Sequence, residues 1–255
     1  MQVHALKTPL IKPKDNIVNA LLQAIEKHNL KLEEKDIIVI ASKVLAIAQG
    51  RVIKLNQISE SRKAKTLAQI YLLKPQFVEL ILHEAEQIYG GVEKAILTLK
   101  DGILTVNAGI DHKNAPADHA ALWPLEPHQQ AEDIRNRIKK KTGKNVGVLI
   151  MDSQVAPLRM GTRGLALAAS GFKPVKDYRK EYDLFGKPLL ITRHAIADDL
   201  ASSAHLLMGE SNEKIPFVLI KNAPVTFTDK RVSSEEMQIQ FEKCVYTSAL
   251  NISAA

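Results

Sequence analysis

Two aspartates stand out by where they fall in the chain. Gly102-Ile103-Leu104-Thr105-Val106 leads to Asn107-Ala108-Gly109-Ile110-Asp111, and Val146-Gly147-Val148-Leu149-Ile150-Met151 leads to Asp152-Ser153. Each run reads as a buried strand that ends in a carboxylate, which fixes the backbone while the acid projects to where solvent and ligand can reach it. Mg²⁺ or Mn²⁺ takes oxygen ligands and commonly uses only one or two carboxylates, with waters and substrate phosphates filling the other positions. Asp111 and Asp152 would suffice for such an ion. Taken on spacing alone, an Asp that caps the turn after a strand is the commoner case.

Other candidates are weaker singly. Ser153 offers a hydroxyl to a metal or phosphate, Asn114 a carboxamide to a base or ribose, and Glu210 a carboxylate just past a helix end. Ser and Asn in loops usually satisfy nearby backbone groups. Arg159-Met160-Gly161-Thr162-Arg163-Gly164 supplies two guanidinium groups and glycine-freed N–H groups, an anion cradle in composition. No G-x-x-x-x-G-K-[ST] occurs, nor G-x-G-x-x-G behind a strand, nor a G-x-S-x-G elbow, nor H-E-x-x-H around His83. A nucleotide would therefore bind by a less common architecture.

The elements that must position these groups alternate along the chain. Ile17, Val18, Leu21, Leu22 and Ile25 recur at helical spacing behind Asp15, predicting a helix over 16–28. Residues 36–41 form an apolar, β-branched run expected to be a buried strand. Helices are predicted over 60–72, with Ser59 as cap, and 76–89, with Pro75 at the start and Gly90-Gly91 ending it. A basic helix starts at Glu126-Pro127 and stops at Gly143, and after Asp152 the chain is punctuated by Gly161, Gly164 and Gly171. Ile196, Leu200, Ala204 and Leu207 mark a helix over 195–208 closed by Gly209, and 216–220 reads as a strand. The expectation is one α+β or α/β domain over 1–255, with room for two sub-lobes.

Composition fits a globular chain with a substantial core: 255 residues, 45% hydrophobic and 25% charged. The lone Cys244 excludes an intrachain disulfide and a thiolate zinc cluster. With no apolar signal region in the first thirty residues and no apolar run near 18 residues, the expected location is cytoplasmic, without membrane partners. The net charge of +7 suits a polyanionic ligand. Aromatics at 5% and the lack of RNP-like or C2H2 spacing argue against nucleic acid, and the basic run Arg135 to Lys144 reads as a solvated helix face.

Together these signals fall in a colinear order that resembles the coenzyme F-420:L-glutamate ligases, the γ-glutamyl ligase family of deazaflavin cofactor synthesis. The resemblance spans about Thr8 to Lys221. It is carried by Thr8-Pro9-Leu10-Ile11, Ile40-Ala41-Ser42-Lys43, Ala48-Gln49-Gly50-Arg51, Asn107 to Asp111 with Asn114, Asp152-Ser153, Asp183-Leu184-Phe185-Gly186, Ala197-Asp198-Asp199-Leu200-Ala201 and Leu206 to Glu210. Residues 226–255 are a poorly matched C-terminal extension.

The resemblance implies a ligase that uses GTP or ATP and Mg²⁺ or Mn²⁺ to activate a carboxylate, as an acyl phosphate, for attack by L-glutamate. It implies a mixed α+β fold that forms an intertwined homodimer. Asp111, Asp152 and Ser153 would be metal ligands, with Glu210 for a second ion. Thr8, Pro9, Leu10, Ile11, Ser42, Lys43, Asn114, Met208, Gly209 and Glu210 would line the nucleotide site. Two departures matter: Val155-Ala156 stands where the family tends to carry Gly-Arg, and Ile47 replaces a Lys. The acceptor is accordingly open between an F-420 precursor and a folate, and a nucleotide- or metal-binding homologue without turnover is the rival from another class.

Overall fold

A computed structural model describes residues 1–249 of the chain. In chain order the elements are β1 (Gln2–Leu6), α1 (Ile17–Lys27), β2 (Ile37–Ala41), α2 (Ser42–Ala48), β3 (Val52–Lys54), α3 (Arg62–Tyr71), α4 (Pro75–Glu84), β4 (Gln87–Val92), β5 (Ala95–Lys100) and β6 (Ile103–Val106). They continue as β7 (His119–Ala121), α5 (Pro127–Thr142), β8 (Gly147–Val155), β9 (Thr162–Ser170), β10 (Lys176–Asp177), β11 (Arg193–His194), α6 (Ile196–Met208), β12 (Phe217–Lys221) and α7 (Val245–Ala249). The fold is α+β, as expected. Residues 250–255 of the C-terminal extension lie outside the described part.

A five-stranded sheet in the order β1-β12-β2-β8-β9 is the frame, antiparallel except where β2 runs parallel to β8. The period-2 alternation of its strands sends Ile38, Ile40, Val148 and Ile150 to one face, against Leu21 and Ile25 of α1 and Ile134 and Ile138 of α5. Ile37, Val39, Leu149 and Met151 go to the other, against Leu200, Ala201 and Ala204 of α6. Covered on both faces, these strands read as continuous apolar runs. Gly164 of β9 admits α6 closely, since a Cβ there would lie 2.4 Å from the Ala201 backbone. A separate core packs α3 and α4 through Ala64, Ala68, Phe77, Val78 and Ile81 onto Ile96 of the sheet β4-β5-β6 and onto Ala108, Ile110, Ala120 and Leu122. No helix among the described residues is long and apolar enough to cross a membrane.

Several local expectations are corrected. Asn16, not Asp15, caps α1, and Ser61, not Ser59, caps α3. Helix α4 stops at Glu84, short of 89, and Gly90-Gly91 belongs to β4, where a Cβ on Gly91 would strike Ala95 O at 2.3 Å across the tight β4–β5 turn. Neither aspartate ends a strand. β8 continues through Asp152 to Val155, while β6 stops at Val106 and a one-turn 3-10 helix, Asn107–Gly109, precedes Asp111. The glycine-punctuated stretch after Asp152 is mostly strand β9.

Candidate functional site

A cleft with two chambers runs past Asp111 and Asp152. The larger, of about 650 Å³, is lined by Thr8, Pro9, Leu10, Ile11, Lys43, Asp111, Lys113, Asn114, Asp152, Ser153, His205, Met208, Gly209 and Glu210. The smaller, of about 250 Å³, is lined by Ser42, Thr105, Gly109, Trp123, Gln154 and Thr162. Lys43, Asp111, Lys113, Asp152 and Ser153 line both and form the partition between them. Every metal or nucleotide residue named through the resemblance therefore reaches one chamber or the other, though the segments carrying them are far apart in the chain.

Asp152 projects from a strand interior. On β8 the alternation puts it on the face of Val148 and Ile150, and the pairing with β9 shifts by one residue between Ile150 and Met151, a bulge immediately before the acid. The Trp123 indole N–H donates to its Oδ2 and the Ser153 backbone N–H to its Oδ1. Burial pushes the Asp152 carboxyl above its ordinary range; the Trp123 and Ser153 hydrogen bonds and the Lys43 charge act against that push, while Asp111 adds to it. Gly109 makes room for the indole: a Cβ there would lie 2.2 Å from ring atoms, and its φ of +70° is one that L side chains rarely adopt.

Asp111 is held differently. It pairs with Ala121 in an isolated bridge, so β7 steadies its backbone. Its Oδ2 accepts from the Lys43 Nζ at 2.6 Å and its Oδ1 from the Lys113 N–H at 2.8 Å. Lys43 also donates to the Lys113 carbonyl at 2.8 Å. Asn114 crosses the larger chamber to donate to Ser211 O at 2.8 Å, tying the Asp111 turn to the segment after α6.

Glu210 sits beyond α6, where Gly209 closes the helix. Thr162 Oγ1 donates to it at 2.6 Å, His205 Nε2 lies 2.8 Å away and Lys113 Nζ 3.5 Å. Burial works to raise its carboxyl, but the Thr162 and His205 hydrogen bonds and the Lys113 charge win and hold it down at about 2.

No three His, Cys, Asp or Glu side chains among the described residues form a ready-made metal cluster. The partition supplies two carboxylates and a hydroxyl, enough for a hard cation that shares its remaining positions with phosphate and water. The anion cradle read into residues 159–164 is not assembled at the cleft. Arg159 is exposed beyond β8, and Arg163, paired with Gln154 in the sheet, lines a separate groove beside Asp198. Gly164 is occupied in packing rather than in freeing an N–H for an anion. Trp123, Lys113 and Gln154 were not singled out from the sequence, and Thr162 was read only as part of the 159–164 cradle. Of these only Trp123, the chain's one tryptophan, offered a signal, because a buried indole N–H needs an acceptor.

The sequence model described as F420-0:Gamma-glutamyl ligase matches residues 5–222. A coenzyme F420:L-glutamate ligase of Methanococcus maripaludis is 40% identical over 230 residues, covering 90% of this chain and 91% of that protein. Proteins of the same description from Methanopyrus kandleri and Archaeoglobus fulgidus are 38% identical over 212 residues and 35% identical over 217. The first match covers 83% of this chain and 82% of its relative, the second 85% of each.

Proposed function

This chain belongs to the F420-0:Gamma-glutamyl ligase family, and from that premise we propose that it joins the α-amine of L-glutamate to a carboxylate of a deazaflavin coenzyme F-420 precursor, using GTP or ATP. The observation that carries the reading is the partition: Lys43, Asp111, Asp152 and Ser153 stand between a chamber large enough for nucleotide and a smaller one that opens toward Thr105 and Gln154.

The chemistry proposed for that placement has two steps. The precursor carboxylate attacks the terminal phosphorus, forming an acyl phosphate and releasing the nucleoside diphosphate. The glutamate amine then attacks the acyl carbon, phosphate departs, and the amine gives up a proton to leave a neutral amide. Lys43 and Lys113 reach the partition with ammonium groups that offset the negative charge of two carboxylate substrates and a triphosphate. Mg²⁺ or Mn²⁺ held by Asp111, Asp152 and Ser153 would supply further charge compensation to the phosphoryl group. The donor set fits such an ion, because uncharged N–H donors occupy the Asp152 oxygens and only the Lys43 charge nearby offsets the carboxylate. A second ion at Glu210 has less room, since Thr162, His205 and Lys113 already surround that carboxylate.

A homodimer suits the exposed arm between β10 and β11, where Tyr182, Leu184, Phe185, Leu190 and Ile191 face outward, as do Leu158 and Met160 nearby. The decisive experiment incubates the protein with GTP or ATP, Mg²⁺ or Mn²⁺ and L-glutamate, offering the deazaflavin precursor and tetrahydrofolate in parallel, with products read by mass. Glutamyl addition to the deazaflavin is expected. Addition to folate alone would move the acceptor, and addition to neither would end the ligase reading.

A further inference from the structure

Trp123 touches both acidic segments of the cleft. Only 4% of its surface is exposed. Its ring lies against the backbone at Gly109, two residues before Asp111, closely enough that no side chain fits between. Its N–H reaches Asp152 Oδ2. Its own backbone is fixed from behind, for its carbonyl accepts from Arg51 Nε at 2.7 Å, and Arg51 in turn holds both oxygens of Glu84, at 2.9 and 2.8 Å.

We infer that Trp123 is a positioning residue that sets the spacing of the Asp111 and Asp152 carboxylates and so tunes the affinity of the cleft for a divalent cation. This rests on the metal role proposed above for the two aspartates. A ring braced against one acidic segment and bonded to the other keeps the separation of the acids from relaxing under their mutual repulsion. Donation to Oδ2 also turns the Asp152 carboxylate about its Cβ–Cγ bond, restricting which lone pairs face the partition. Partners one step removed from a metal commonly govern its affinity in this way.

Two measurements test the inference without relying on turnover. The first replaces the indole N–H but keeps most of the ring: Trp123→Phe, with Mn²⁺ binding followed by the electron paramagnetic resonance of the free ion. Weakening of about 10-fold is expected, with metal-free nucleotide binding unchanged, which a general loss of folding would not leave intact. Equal Mn²⁺ affinity in the two proteins would overturn the inference. The second needs no variant. Trp123 is the only tryptophan, so saturating the native protein with Mg²⁺ and nucleotide should shift its emission, whereas nucleotide alone should not. Emission indifferent to Mg²⁺ would equally overturn it. If metal binding depends on Trp123 while no glutamyl product forms with any acceptor, the inference stands and the ligase reading falls.

Discussion

Asp152 and Asp111 line the same partition, yet their surroundings differ in almost every respect. Asp152 lies within the central sheet, with β9 hydrogen-bonded beside it and two uncharged N–H donors on its oxygens. Asp111 lies past a single 3-10 turn, its side chain 38% exposed, with an ammonium 2.6 Å away. One acid is rigid and short of positive charge; the other is steadied by one bridge to Ala121 and already paired. The contrast separates two tasks that a ligand pair must perform: a fixed point set by the sheet, and a partner whose position depends on what Lys43 and Trp123 do.

The largest effect should come from the fixed point. Asp152→Asn keeps an oxygen for the indole N–H but loses both the charge and the second oxygen, which accepts from the Ser153 N–H, so glutamyl transfer should fall by about 10³-fold, equivalent to about 4 kcal/mol of lost transition-state stabilisation. The melting temperature should change little, because the relief of replacing a desolvated carboxylate by a neutral amide is offset by the lost acceptor for the Ser153 N–H. Activity within tenfold of the native protein would put the essential charge elsewhere.

Next is the anchor behind the turn. Glu84 takes two bonds from Arg51 and one from Lys100 at 2.8 Å, and it is mostly buried. Burial works to raise its carboxyl, but Lys100 and Arg51 hold it below the usual range. Removing the charge strands two partly buried cations, so Glu84→Gln should cost about 3 kcal/mol in denaturant unfolding. Because the folded carboxyl is depressed, its contribution is complete above the unfolded value of about 4.3 and fades as pH falls through the folded value. The gap between native and variant should therefore be full at neutral pH and narrow in acid; a gap that widened on acidification would contradict the pairing.

Asp111→Asn should cost less than the change at Asp152, about 30-fold in glutamyl transfer, since loss of one charge-assisted contact is worth about 2 kcal/mol. It also frees Lys43, which keeps the Lys113 carbonyl as a partner. Losses at Asp111 that match those at Asp152 would mean that both acids are equally fixed, and the contrast between sheet and turn would have no functional content.

Much of this was legible in the sequence, and the parts that were not have physical reasons. β2, β12 and α6 lie within a residue or two of where apolar runs and periodicity put them, because buried strands and amphipathic helices write their environment into residue type. Gly90-Gly91 misled because glycine marks tight strand turns as readily as helix ends, and only the contact with Ala95 O distinguishes them. Asp152 read as a strand end because a polar residue breaks an apolar run, although a strand runs on regardless when β9 supplies its hydrogen bonds. Asp111, Asp152, Ser153, Asn114 and Glu210 were visible as residue types, but the full set was named only through resemblance, since its convergence joins segments as distant as Thr8 and Glu210 and leaves no local periodicity. Trp123 and the Lys113 ammonium escaped because their partners, Asp152 and Glu210, lie far away in the chain.

The smallest predicted effect concerns the exposed segment between β8 and β9. Arg159 is exposed, lines neither chamber and makes no ion pair among the described residues, while Leu158 and Met160 beside it are fully solvent-facing. Salt screens exposed charges from one another beyond about 10 Å. Arg159→Ala should thus leave glutamyl transfer within about twofold, in keeping with surface substitutions remote from any contact. Leu158 and Met160 give the experiment its other edge, because exposed apolar side chains are a basis for association with a second copy. A loss of tenfold or more, appearing together with a change in sedimentation, would place Arg159 in the cleft of a neighbouring copy and give the partition a third source of positive charge beside Lys43 and Lys113.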